Sequence, residues 1–137
     1  MRIYFSSDQT PVLLDSLQAM NALYQRLEAF LSSGEQHIRL EADRWGSPDP
    51  YDEFLGGLEM QKGEGALMVS MMPSRWLHIM GAVHNLKRYV SHFHFDEDNI
   101  HHHPENVSPD GYIQPGSLSL IIEVCSGWIE DLRLAQH

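Results

Sequence analysis

Between Leu13 and Leu31 the large apolar residues Leu13, Leu17, Met20, Tyr24, Leu27 and Leu31 recur at alternating steps of four and three. That spacing predicts one face of a long amphipathic helix. Leu14, Leu23 and Phe30 widen the stripe, while Gln18, Gln25, Arg26 and Glu28 fall outside it. Thr10-Pro11 supplies an N-cap and a first helical residue, and Gly34 offers a left-handed stop. A helix with one apolar side must bury that side, so the rest of the chain has to provide a surface for it.

Outside this stretch the pattern shortens to strand length. Arg2 to Ser6 reads as an opening strand, and from Gln36 to Asp43 the period is two, with Ile38, Leu40 and Ala42 facing one way and His37, Arg39 and Glu41 the other. Trp45-Gly46-Ser47-Pro48-Asp49-Pro50 is a loop, dense in turn formers. Phe54 to Met80 reads as a meander of three antiparallel strands, broken at Lys62-Gly63-Glu64-Gly65 and Met72-Pro73-Ser74-Arg75. After Gly81, the positions Ala82 or Val83, Leu86, and Tyr89 or Val90 predict a second, shorter helix with Asn85, Lys87 and Arg88 on its outer side. Phe93 and Phe95 predict a further strand, Asp96 to Pro115 a long loop, and Leu118 to Val124 a last strand whose Leu118, Leu120, Ile122 and Val124 alternate against Ser119, Ile121 and Glu123. The expected fold is α+β: a single antiparallel sheet of about five to six strands with two helices packed on one face, forming one domain over residues 1–137.

The composition narrows the function classes. With 42% hydrophobic residues a chain of 137 residues can bury a core. Nineteen carboxylates against nine Lys and Arg give a formal charge of −10, which disfavours a phosphate backbone as partner; it permits a basic protein partner but reads first as the net charge that keeps a protein soluble. Cys125 is the lone cysteine, so no intrachain disulfide forms, and the start Met1-Arg2-Ile3-Tyr4-Phe5-Ser6-Ser7-Asp8 lacks the apolar core of a secretory signal. No apolar run reaches the ~20 residues that span a bilayer. These features predict a soluble, cytoplasmic protein with neither nucleic acid nor membrane as partner.

The densest chemical cluster is His92-Phe93-His94-Phe95-Asp96-Glu97-Asp98, followed by His101, His102 and His103. On a strand, His92, His94 and Asp96 would point the same way while Phe93 and Phe95 enter the core, and imidazole with carboxylate suits zinc. The run resembles the His-x-His-x-Asp-His ligands of metallo-β-lactamase-fold hydrolases, but Glu97 stands where that motif needs its third histidine and the chain is too short for that fold. The polar residues therefore read as the wet face of a strand, without cofactor or metal. Cys125 has no neighbouring base to activate it, no serine sits in a Gly-x-Ser-x-Gly elbow, and Gly56-Gly57 and Gly63-x-Gly65 lack the lysine of a phosphate loop. Asp49, Asp52 and Glu53 flank one loop as solvated acids, most methionines read as core, Trp76 as packed, and Trp45 and Trp128 as possible contact anchors.

Taken together, Trp76-Leu77-His78-Ile79-Met80-Gly81, Leu86 and Tyr89, His92-x-His94-x-Asp96, and Pro115-Gly116-Ser117-Leu118-Ser119-Leu120-Ile121-Ile122-Glu123 resemble a family of immunity proteins from bacterial polymorphic toxin systems. The stretch from Ile100 to Tyr112 is an insertion relative to the family pattern. The resemblance implies a small α+β protein without catalytic residues that binds and neutralises a cognate, basic toxin domain. His92, His94, Asp96, Glu97, Asp98 and His101 are the expected partner-binding residues. The rival readings are a small metal-dependent hydrolase built on His92, His94 and Asp96, and a structural module that homodimerises through sheet edges.

Overall fold

The computed structural model describes residues 1–104 and 110–127. Along the chain come β1 (Arg2–Ser6), β2 (Gln9–Asp15), α1 (Leu17–Ser32), β3 (His37–Glu41), β4 (Glu53–Phe54), β5 (Gly57–Lys62), β6 (Met68–Met71), β7 (Leu77–Gly81), α2 (Val83–Val90), a 3-10 turn (Ser91–Phe93), β8 (Ile100–His102) and β9 (Ile121–Val124). The α+β class is as expected, as are α1 and α2 among the described residues. The single antiparallel sheet is not: there is a five-stranded sheet in the order β4-β1-β2-β9-β8 and a four-stranded sheet in the order β3-β5-β7-β6, each with one parallel pair.

The first departure lies at Thr10-Pro11, which opens no helix. Pro11 to Asp15 is buried at every position, the mark of a central strand covered on both faces. β2 pairs antiparallel with β1 on one side and parallel with β9 on the other. Pro11 is tolerated because the β1–β2 register shifts between Tyr4 and Ser6, opposite the proline, where no ladder donor is needed. The helix starts at Leu17, where the Ser16 hydroxyl caps it by accepting from the Ala19 amide at 3.2 Å. It ends at Ser33, whose amide and hydroxyl both donate to the Phe30 carbonyl, without a left-handed Gly34.

The second departure is the meander. β7 lies between β5 and β6, parallel to the former and antiparallel to the latter. The wholly buried Leu77 and Ile79 take the sheet centre, where both neighbours shield them. Gly81 makes the crossing possible, since a side chain there would meet the Leu67 backbone at 2.9 Å. Gly57 and Gly56 are close-packing positions as well, both pressed against the Trp76 indole. Asn85 is buried on α2 and donates from Nδ2 to the Gly65 carbonyl at 2.8 Å, so it belongs to the packed side and not the outer one.

Both sheets and both helices meet in one core. Ile3, Leu13, Ile122 and Val124 come from the first sheet, Leu58, Met60, Val69, Leu77 and Ile79 from the second, Met20, Leu27, Phe30 and Leu31 from α1, and Leu86, Tyr89 and Val90 from α2. Each fully buried Leu or Ile contributes roughly 1.5–3 kcal/mol relative to exposure. The last strand is shorter than its sequence pattern, because Leu118 leaves the first sheet and donates its amide to the Val69 carbonyl of the second. Among the described residues no helix is long and apolar enough to cross a membrane.

Candidate functional site

The acid and histidine segment is folded differently from its prediction. It is no strand: the 3-10 turn carries it through Ser91–Phe93 and the backbone then runs irregularly to β8. Phe93 and Phe95 do enter the core. What holds the segment is Asn21 of α1, whose Nδ2 donates to the Phe95 carbonyl at 2.9 Å and whose Oδ1 accepts from the Phe95 amide at 3.0 Å. That clasp replaces the strand partner the segment lacks.

Without a strand, His92, His94 and Asp96 do not share a face. His92 is half-buried between Tyr89 and His102, and burial first, then the neighbouring His102, lowers its pKa below the ordinary 6.5. His94 is exposed and edge-on to Tyr24 at 5.1 Å. Among the described residues no group of three or more His, Cys, Asp and Glu side chains is placed to hold a metal ion. His94, Asp96 and Glu97 instead border a shallow hollow of about 180 Å³ together with Phe95, Ile100 and His102. His102 stacks on Phe95 at 4.1 Å and its Nδ1 lies 2.8 Å from the His92 carbonyl, which requires the proton on Nδ1. Asp98 faces another way: its Oδ1 accepts from the amides of Ser126 and Asn99, and these bonds, Ser126 first, hold its carboxyl below the usual range.

His101 parts company with the others and joins a larger site on the outer face of the five-stranded sheet. Strand alternation sends Ile3, Leu13 and Ile122 inward, and therefore Tyr4, Val12, Leu14, Ile121 and Glu123 outward. Neither helix covers this face; the loop holding Trp45 and Tyr51 folds over part of it, forming a second small apolar cluster with Phe54. Within that cluster the Arg2 guanidinium is buried, 4.3 Å from the Trp45 ring, 4.5 Å from Phe54 and 5.1 Å from Tyr4, and Nη2 donates to the Trp45 carbonyl at 2.7 Å. Desolvation lowers the Arg2 pKa, and Tyr4 and Asp43 work against that.

Beside the Arg2 cluster the face stays open as a cleft of about 450 Å³. Tyr4, Val12, Leu14 and Ile121 line it with apolar surface, Asp49, Pro50 and Tyr51 form one side, and His101, His103, Glu123 and Cys125 the other. His101 is the cross-strand partner of Glu123, and its ring meets His103 edge-on at 4.6 Å. Burial pushes the Tyr4 hydroxyl up to about 12, against Arg2 and with help from Glu123. The Tyr51 hydroxyl is raised by burial and by Glu123. Two carboxylates and no lysine or arginine are among the described residues lining the cleft.

Of the expected partner-binding residues, His94, Asp96 and Glu97 thus share the small hollow, His92 lies half-buried behind it, Asp98 ties the segment to Ser126, and His101 opens onto the cleft. Tyr4, Tyr51 and Glu123 were not expected. The alternation of the last strand does place Glu123 outward; the floor beneath it depends on pairing with β2, which has no local signature. Trp128 lies outside the described residues. No family model, no curated protein and no solved structure matches this chain.

Proposed function

We propose that this chain is a binding protein that docks onto a basic protein partner and neutralises it, in the manner of the immunity proteins its sequence resembles. The observation that carries this reading is the cleft: a part of the outer sheet face that neither α1 nor α2 packs on among the described residues, with an apolar, aromatic floor and the carboxylates of Asp49 and Glu123 at its edges. Interfaces concentrate their energy in such apolar pockets, which receive an anchor side chain from the partner. The formal charge of −10 accelerates encounter with a basic surface, and the exposed acids at Asp96 and Glu97 extend the field beyond the cleft. Nothing in such a role requires a tuned nucleophile or a metal.

Coexpression with candidate toxin domains encoded by neighbouring genes is the direct test. A complex that survives size exclusion, together with relief of the toxin's growth inhibition, is the expected result. Free elution of both proteins and undiminished toxicity with every neighbouring candidate would remove the reading.

A further inference from the structure

Resting on that reading, we infer that the outer-face cleft is a receptor for a guanidinium group, filled in the complex by an arginine side chain of the basic partner. The molecule itself shows how this face accommodates such a group. Arg2 already occupies one half of it, 4.3 Å from Trp45 and 5.1 Å from Tyr4, with a carbonyl accepting its N–H at 2.7 Å. Tyr4 is common to both halves: it meets Arg2, and it lines the cleft with its ring centroid 5.5 Å from that of Tyr51. The open half repeats the aromatic wall and has a carboxylate of its own, as Asp43 lies near Arg2 in the filled half.

Glu123 is that carboxylate. It sits on the central part of the sheet opposite Leu14, and among the described residues no lysine or arginine forms an ion pair with it. It lines the cleft together with Tyr4 and Tyr51, and its charge adds to the upward shift of both hydroxyls. A guanidinium fits such a site better than an ammonium. It is planar, stacks on rings, is weakly hydrated, and offers a paired N–H edge to a carboxylate. Elsewhere on the surface cations also sit over rings, Arg39 over Trp76 at 4.3 Å, Arg88 over Tyr112 at 3.8 Å and Lys62 over Phe30 at 4.8 Å, the two guanidiniums the closer. A volume of about 450 Å³ is that of a small-ligand cleft and holds an arginine with part of its neighbour.

The probe is N-acetyl-L-argininamide, titrated into the isotope-labelled full chain and followed by amide chemical shifts, with the lysine and norleucine analogues as controls. Saturable shifts at Val12, Leu14, Ile121 and Glu123, with an affinity of about 1–10 mM typical of a single side chain, are expected. The lysine analogue should bind at least threefold more weakly and norleucine should not saturate. Glu123→Gln, partly exposed and isosteric, should melt like the native protein and bind the probe at least tenfold more weakly; Tyr51→Leu should weaken it as well. No saturation, or equal binding of norleucine, overturns the inference. A captured protein partner whose complex survives Glu123→Lys also overturns it while leaving the neutralising function standing. Probe binding lost in Glu123→Gln, with no protein partner ever captured, supports the guanidinium site and removes that function instead.

Discussion

The Arg2 guanidinium lies 4.3 Å from the centroid of the Trp45 ring and donates to the backbone carbonyl of the same residue at 2.7 Å. A side chain from the first strand is thereby fastened to both ends of a loop residue more than forty positions later. Arg2→Ala empties the space beneath the indole and strands that carbonyl, and should cost about 2–4 kcal/mol. Arg2→Met keeps the volume without the charge and should cost less than half as much. Urea denaturation monitored by tryptophan fluorescence measures both, and equal losses would show that charge, not filling, is what matters there.

Gly57 has no room for a side chain, because a Cβ would press into the Leu40 carbonyl and come within 2.6 Å of the Trp76 ring. Gly57→Ala should lower stability by about 1–3 kcal/mol through overpacking at the β3–β5 ladder. Gly34→Ala, with nothing within 4 Å of the added atom, is the matched control and should stay within about 0.5 kcal/mol of native.

His92 sets an acid-side dependence. Its folded pKa is depressed by burial and by His102, so its contribution is fully present above the unfolded value near 6.5 and is lost as pH falls through the lower folded value. The thermal midpoint should therefore fall as pH drops below 6.5, and His92→Gln should flatten that slope. On the alkaline side Tyr4, raised to about 12, keeps its contribution below its ordinary value of 10 and loses it as pH climbs from there through 12. A melting series with unchanged acid slope in His92→Gln would exclude the first of these.

Asp96 and Glu97 are exposed and border the small hollow, and in the proposed docking they act through their field. Charge reversal of both should slow association with a basic partner about tenfold at low salt, with the gap closing as ionic strength rises and with little change in dissociation. Stopped-flow or surface binding at two salt concentrations separates these effects; a change confined to dissociation would place the loop inside the contact.

The last strand was legible because its buried residues obey a two-residue period in a short segment: Leu120, Ile122 and Val124 are inside, as the alternation predicts. The first helix was legible from Leu17 to Leu31 but not at its start. Leu13 continues the helical spacing by coincidence, and only the tertiary burial of both faces of β2 makes it a strand residue. A local clue existed in Ser16, a good N-cap placed three residues before Ala19. The alternation from His92 to Asp96 misled in the opposite direction, because Phe93 and Phe95 are buried by a turn and an asparagine clasp and not by a ladder. The cleft could not be read at all, since its walls come from β1, β2, β8, β9 and the Asp49–Tyr51 loop, and only the pairing of distant strands assembles them.

That pairing has a consequence for how the protein is made. β2 and β9 are hydrogen-bonded neighbours, Val12 beside Ile121 and Leu14 beside Glu123, although more than a hundred residues separate them along the chain. Such closure is entropically demanding and comes late in folding. During synthesis, β1 and β2 leave the ribosome with both outer edges unpaired, and the cleft gains Ile121 and Glu123 only when β9 slots in beside β2.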